Sequence, residues 1–125
     1  MNIAKKLYCR AFQLVFRLAI PILPYRDPEV FQSVNEVSVL LKRIGRNSVL
    51  LVTDSSLRQA GVTRKLEENL KAEGIHCAVY DRVCPNPTIT NIEEAVKLYR
   101  RENCKALIGF GGGSSIDCAK GVGAR

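Results

Sequence analysis

The chain has 125 residues, of which 46% are hydrophobic and 25% charged; this is enough for about one globular domain, and no apolar run approaches the ~18–20 residues that span a bilayer. The net charge of +7 is concentrated in residues 1–26, which carry five basic residues and no acidic one. Five scattered cysteines without a C-x-x-C pair favour a reducing compartment, free thiols and no structural zinc.

Residues 1–27 are predicted to form a basic amphipathic helix followed by a linker. Apolar residues recur there at helical spacing: Leu7, Ala11, Leu14, Val15 and Leu18. Pro21 and Pro24 end the helix, and residues 25–28 follow as the linker. A signal peptide is disfavoured because Gln13 and Arg17 interrupt the apolar stretch. We expect this helix to pack on its own protein or a partner subunit; the alternative is an anionic membrane surface.

From residue 28 onward, amphipathic helices alternate with short apolar strands. The predicted order is helix 31–44, strand 49–52, helix 63–73, strand 77–80, helix 90–102 and strand 107–110. Gly45 and Gly74 are predicted helix stops, and Thr90-x-x-Glu93 is a predicted capping box. This alternation indicates the α/β class with a parallel, doubly wound sheet.

Three polar loops follow the three predicted strands. They are Thr53-Asp54-Ser55, the segment Val83–Pro87, and the run Gly111-Gly112-Gly113. Because ligands of such sheets bind beyond the carboxyl ends of the strands, we expect the three loops to converge on one site.

The glycine run is predicted to bind an anion at the start of a helix. Glycines let the backbone approach a ligand closely, and the free N–H groups of a first helical turn attract negative charge. The run matches neither G-x-G-x-x-G nor G-x-x-x-x-G-K-[ST]. Ser114-x-x-Asp117 also fits a helix-capping pattern. Ligand binding is favoured because three consecutive glycines are conformationally costly without a use.

The other candidate residues leave alternatives open. The Asp54 carboxylate is placed to accept bonds from both hydroxyls of a ribose, or to form an Asx turn. Asn86, between two prolines, either presents its amide to a ligand or makes a turn. His76 is the only histidine and is expected to be structural. No catalytic residue and no metal ligand set is predicted, because the chain lacks the histidines that a transition-metal site usually takes.

Three blocks together resemble the iron-containing (group III) alcohol dehydrogenase family. They are Val52-Thr53-Asp54, Pro85-Asn86-Pro87-Thr88 and the run from Gly111 to Lys120. The resemblance runs from about residue 28 to the end, and residues 8–10 and 24–26 are similar to the extended N-terminus of some bacterial members. It implies that residues 28–125 are a truncated, partial nucleotide-binding domain of the dehydroquinate-synthase-like type, with a C-terminal helical metal domain absent.

The resemblance also implies cofactor contacts for residues of the glycine block. Gly112, Gly113 and Ser114 match family residues that bind the pyrophosphate of the cofactor. Asp117 matches a residue near the nicotinamide side.

Two further contacts are implied for the preceding loops. Asp54 matches the residue beside the adenosine ribose, where a carboxylate favours NAD over NADP by repelling a 2′-phosphate. Asn86 matches a loop residue that lines the same cleft.

The function implied by the resemblance is reversible hydride transfer between a small alcohol or aldehyde and NAD(P), assisted by iron or zinc. The family's metal ligands, an aspartate and three histidines, lie downstream of the glycine block. The chain is therefore expected to be an N-terminal fragment without activity alone. The full-length protein is expected to be a cytoplasmic homodimer, without a membrane span or nucleic-acid partner.

Two alternative functions come from other classes. The first is a small nucleotide- or phosphate-binding module that is complete in itself and not catalytic. The second is a membrane-surface or nucleic-acid binder that acts through the basic residues 1–26.

Overall fold

The computed structural model describes residues 2–24 and 27–125. These residues form two compact units, one ending at Val30 and the other comprising Phe31–Arg125. The first unit contains helix α1 (Ile3–Ala19), none of whose residues is buried. The predicted linker falls partly on Tyr25 and Arg26, which lie outside the described residues. Within the described ranges, no helix has both the length and the apolarity needed to cross a membrane.

The second unit contains the predicted alternation of helices and strands. Its elements are α2 (Asn35–Arg43), β1 (Ser48–Val52), α3 (Ser55–Gln59), α4 (Arg64–Ala72), β2 (His76–Tyr80), α5 (Ile89–Arg101), β3 (Ala106–Gly109) and α6 (Gly113–Gly123). Helix α3 was not predicted. The predicted start of α2 near residue 31 is wrong, because Ser33 turns the chain and its Oγ accepts a bond from Asn35 N at 3.3 Å.

The three strands form one parallel sheet in the order β2-β1-β3. Ser48 lies opposite His76 on one side of β1, and Val49 lies opposite Ala106 on the other. All five residues of the central strand β1 are buried. A parallel strand covered on both faces is expected to be apolar throughout, as this one nearly is.

Helices cover both faces of this sheet, as the doubly wound prediction requires. Because side chains alternate along a strand, Leu50 and Val52 join one core and Val49 and Leu51 join the other. The first core is completed by residues of α5 and α6, including Ala95, Cys118, Ala119 and Val122. The second is completed by residues of α2 and α4: Leu41, Leu66 and Leu70.

The start of α5 corrects one prediction. The capping box is formed by Thr88 and Asn91, so the predicted box Thr90-x-x-Glu93 is wrong. Thr88 Oγ1 accepts from Asn91 N at 3.3 Å, and Asn91 Oδ1 accepts from Thr88 N at 3.2 Å. Asn91 Nδ2 also donates to Tyr80 Oη at 3.2 Å, which ties the helix start to the end of β2.

The two predicted glycine stops are confirmed. Gly45 follows α2 with φ +69°, and Gly74 follows α4 with φ +72°. Both are in the left-handed region, where a glycine closes a helix without the steric penalty of a Cβ.

Candidate functional site

Three loops line a cleft of about 730 Å³ at the carboxyl edge of the sheet. The loop after β1 contributes residues 54–57, the loop after β2 residues 81–85, and the turn after β3 residues 112–115. The predicted convergence of the three loops is therefore confirmed. The volume lies in the range of sites that bind small molecules and cofactors.

The N-terminus of α6 forms one side of this cleft. The helix's first backbone bond runs from Ile116 N to Gly112 O at 3.2 Å. The N–H groups of residues 113–115 precede that bond, so they have no acceptor within the helix. Gly112 is the N-cap and no side chain caps the helix, so the alternative in which Ser114 and Asp117 form a capping pair is wrong.

The three consecutive glycines have different surroundings. Gly111 has φ +133°, and a Cβ there would lie 2.8 Å from Leu57 Cδ1, so the turn itself requires glycine. A Cβ on Gly112 or Gly113 would meet no atom within 4 Å, and both residues line the cleft. Their missing side chains leave space at the end of a helix, which is the space that a phosphate group needs. This part of the chain therefore fits a dinucleotide pyrophosphate.

Asp54 lines the cleft and also caps α3. Its Oδ1 accepts a bond from Leu57 N at 2.9 Å, so the Asx-type alternative is observed. The side chain is half-buried and lines the cleft. Oδ1 accepts the capping hydrogen bond, and the other carboxylate oxygen, Oδ2, takes no part in it.

The loop after β2 adds charged groups that lie outside the predicted site residues. Asp81 Oδ2 accepts from Arg58 Nη1 at 3.1 Å. The Arg82 guanidinium lies over the Tyr80 ring, 5.5 Å from its centroid, and its Nη2 is 3.8 Å from Glu94 Oε2. Their position directly after β2 was the available signal, because that is where ligand-binding loops of a parallel sheet begin.

The Tyr80 side chain, directly before this loop, is held by two hydrogen bonds. Its hydroxyl donates to Glu94 Oε2 at 2.9 Å and accepts from the Asn91 amide. Burial raises the pKa of Tyr80 to about 12, and the bond to Glu94 adds to that rise. The phenol therefore remains a neutral donor at physiological pH.

Asn86 and Asp117 do not line the cleft, unlike Asp54, Gly112, Gly113 and Ser114. Asn86 is exposed with φ +58°, one residue beyond the lining segment. Asp117 is exposed in the second turn of α6, with Oδ1 4.0 Å from Lys120 Nζ. The structure thus brings together four of the six candidate residues and leaves these two beside them.

Two lining residues, Ser56 and Leu57, were not predicted because the short helix α3 was not predicted. They belong to its first turn together with Ser55, which the predicted loop Thr53-Asp54-Ser55 already included. A helix of five residues is too short to reveal a 3.6-residue period, so only the capping preference of Asp54 pointed to it.

The residues that the structure describes hold no cluster of three or more His, Cys, Asp or Glu side chains able to bind a metal ion. His76 instead lies at the start of β2, with Nε2 3.2 Å from Glu102 Oε2. The metal implied by the resemblance has no fitting ligand set here, and no chemical step is assigned to it.

The fold and site together define a parallel α/β domain with an open helix N-terminus at the carboxyl edge of its sheet. Residues 30–125 match the model of the family described as iron-containing alcohol dehydrogenase. The chain belongs to the iron-containing alcohol dehydrogenase family.

Individual relatives agree with this placement. The NAD-dependent methanol dehydrogenase of Bacillus methanolicus is 38% identical over 73% of this chain and 24% of the relative. The 1,3-propanediol dehydrogenase of Klebsiella pneumoniae is 37% identical over 87% of this chain and 28% of the relative. A crystal structure of 1,3-propanediol oxidoreductase matches with a TM-score of 0.69 and 39% identity, covering 72% of this chain and 24% of that one. The chain spans about a quarter of the length of these relatives.

Proposed function

We propose that residues 28–125 are the cofactor-binding part of an NAD-dependent alcohol dehydrogenase that interconverts a small alcohol and its aldehyde. The observation that carries this proposal is the open space at Gly112 and Gly113, at the N-terminus of α6. Family membership and the NAD dependence of the Bacillus methanolicus relative favour the same cofactor.

The residues of the glycine turn have a defined role in this proposal. The pyrophosphate lies against Gly112, Gly113 and Ser114, whose region offers unbonded N–H groups and the positive end of the helix dipole. The two missing side chains allow the phosphates to approach the backbone. Asp117 flanks this site toward the nicotinamide side.

Asp54 and Asn86 complete the proposed contacts. Asp54 accepts bonds from the adenosine ribose through the carboxylate oxygen that does not cap α3. Its negative charge disfavours the 2′-phosphate of NADP, so NAD is preferred. Asn86 borders the cleft next to Pro85. When bound, the nicotinamide ring supplies the hydride chemistry, and the chain's own residues bind and orient the cofactor.

The remaining features of the whole protein are proposed on family grounds. We propose a metal-dependent enzyme that uses iron or zinc, acts as a homodimer in the cytoplasm and has no nucleic-acid partner. Residues 1–27 form a separate helix and linker before the cofactor domain.

The test is the binding of NADH to the 125-residue chain, measured by the change in NADH fluorescence. We expect Gly113→Val to weaken binding about tenfold or more, equivalent to at least about 1.4 kcal/mol. The matched control is Gly123→Ala at the other end of α6, where a Cβ would make an ordinary 3.5 Å contact with Leu107 Cδ1. Equal NADH affinity of the wild type and Gly113→Val, or no NADH binding by the folded wild type, would contradict the proposal.

A further inference from the structure

Helix α1 lies outside the residues that match the family model. The family match begins at residue 30, and α1 ends at Ala19. The described residues of both hydrophobic cores come from residues 37–122. Both described cores of the α/β unit are therefore built from side chains of that unit.

The basic side chains of α1 lie along one stripe. Lys6, Arg10, Gln13 and Arg17 follow one another at intervals of four, three and four residues. Residues three and four apart share a face of a helix, so these side chains form one narrow polar line. Lys5 is the one basic residue of the helix that lies off this line.

Apart from Lys5, the large side chains on the rest of the helix surface are apolar and exposed. The large side chains concerned are Leu7, Phe12, Leu14, Val15, Phe16 and Leu18, each more than half exposed. The rings of Phe12 and Phe16 lie 5.7 Å apart and form one aromatic patch. A helix with a basic line and a broad aromatic and aliphatic face has the composition of helices that lie in a membrane interface.

Charge identifies which partner fits this surface. Residues 1–26 carry +5 without a single acidic side chain, and the remainder of the chain is also net positive. A second copy of the chain would therefore bring like charges together. A nucleic acid would match the charge but would leave the apolar face in water. An anionic bilayer satisfies both, because its headgroups attract the cations and its acyl region receives the apolar face.

We propose that α1 lies flat on an anionic membrane surface and holds the α/β unit there. The apolar face enters the boundary between headgroups and acyl chains, and Lys6, Arg10 and Arg17 reach the lipid phosphates. The helix is about 26 Å long, so it lies along the surface over several headgroups. This interaction is independent of the proposed NAD site.

The test is co-sedimentation of the full 125-residue chain with vesicles. One set contains equal parts of phosphatidylcholine and phosphatidylglycerol, and the other contains phosphatidylcholine alone. We expect binding to the anionic vesicles and at least tenfold weaker binding to the neutral ones. Binding should weaken as the ionic strength rises from about 0.05 to about 0.5 M, because salt screens the headgroup charge.

Two triple variants test whether vesicle binding depends on where the positive charge lies or only on the net charge of the chain. Lys6→Glu/Arg10→Glu/Arg17→Glu is expected to lower the vesicle affinity by about 100-fold. Lys65→Glu/Lys97→Glu/Lys105→Glu makes the same change in net charge at exposed positions of the α/β unit and is expected to keep most of the binding. A third variant, Leu7→Gln/Leu14→Gln/Leu18→Gln, keeps every charge of α1 and is expected to lose binding as well.

Folding of each variant is checked by its far-ultraviolet circular dichroism and its thermal melt. Equal losses in the two charge variants would overturn the assignment to α1. Undiminished binding by the leucine variant would overturn the insertion of the apolar face. If the chain binds DNA or self-associates through α1 and does not bind vesicles, the membrane proposal is overturned and the partner is a nucleic acid or a second copy of the chain.

Discussion

At the scale of single residues, adjacent glycines are present for different reasons. Gly111 is required by its own backbone, with φ +133° and Leu57 packed against the position of a Cβ. Gly113 has neither constraint, yet it lies at the open end of α6 beside the cleft. Gly111 is therefore needed for the stability of the turn, whereas Gly113 affects which groups have space to enter the cleft.

This difference predicts that the same substitution lowers stability at Gly111 and leaves it unchanged at Gly113. Gly111→Ala is expected to lower the free energy of unfolding by about 1–3 kcal/mol, because alanine is strained in that conformation and meets Leu57. Gly113→Ala is expected to leave it unchanged within about 0.5 kcal/mol, since its Cβ meets open space. Urea denaturation measures both. Equal destabilisation by the two variants would show that the surroundings of the glycines do not differ in this way.

Asp54 combines a structural and a proposed binding role in one side chain. Its Oδ1 caps α3 through Leu57 N, while the carboxylate faces the cleft. An asparagine caps a helix about as well as an aspartate, but it carries no charge. The two roles can therefore be separated by substitution.

Asp54→Asn is expected to keep the thermal midpoint of the wild type. It is expected to lower the ratio of the affinity for NADH to the affinity for NADPH by about tenfold, or about 1.4 kcal/mol. Asp54→Ala removes the cap as well and is expected to cost about 1 kcal/mol of stability. Fluorescence titration with both cofactors, beside thermal melts, distinguishes the outcomes. An unchanged cofactor preference in Asp54→Asn would remove Asp54 from the ribose site.

At the scale of elements, the start of α5 is fixed by contacts across the fold. Thr88 and Asn91 satisfy each other's backbone N–H groups, and Asn91 also binds the hydroxyl of Tyr80. These bonds couple the first turn of α5 to the carboxyl end of β2, next to the cleft. The N-cap of the helix is therefore Thr88, two residues before Thr90, where the sequence pattern predicted the cap.

A pair of threonine substitutions tests this start. Thr88→Ala is expected to lower the free energy of unfolding by about 1 kcal/mol, because it removes the N-cap acceptor. Thr90→Ala is the matched control, and we expect it to be neutral or slightly stabilising, since Thr90 is exposed within the first turn. Chemical denaturation measures both. A larger loss in Thr90→Ala would support the capping box that the structure rejects.

At the scale of the whole molecule, burial in the α/β unit favours the neutral forms of three cysteine thiols and of the Tyr80 phenol. All five cysteines are free thiols, and those in the cores are shielded from water. Burial, with a contribution from the Glu67 carboxylate, raises the pKa of Cys77 from 9.0 to about 11. Burial likewise raises the pKa of Tyr80 above its ordinary 10.0.

These pKa values predict a loss of stability in alkali. Because the folded state raises the pKa of Cys77, its contribution is fully present below about pH 9 and is lost as the pH rises toward about 11. The contribution of Tyr80 is lost in turn between about pH 10 and about 12. Thermal midpoints measured from pH 8 to 11 should fall, and Cys77→Val should flatten that fall. The exposed Cys9→Ala is the control; the same flattening there would exclude Cys77 as the cause.

The sequence predicted most of the architecture and part of the site. The apolar run at residues 49–52 marked the buried central strand, and Gly45 and Gly74 marked helix ends. The glycine run located the cleft. The contact of Arg82 with the Tyr80 ring and the presence of α3 were not predicted, because the former depends on how the loop after β2 folds and the latter is shorter than two helical turns.

Local patterns thus determined the class of fold, since periodicity and turn residues act over a few neighbours in the chain. They also determined that three polar loops would meet at one edge, because parallel strands all end on the same side. Only the tertiary structure decided which residues of those loops line the cleft and where α5 begins. Those outcomes depend on contacts between residues far apart in sequence, such as Gly111 with Leu57 and Asn91 with Tyr80, and no local pattern encodes them.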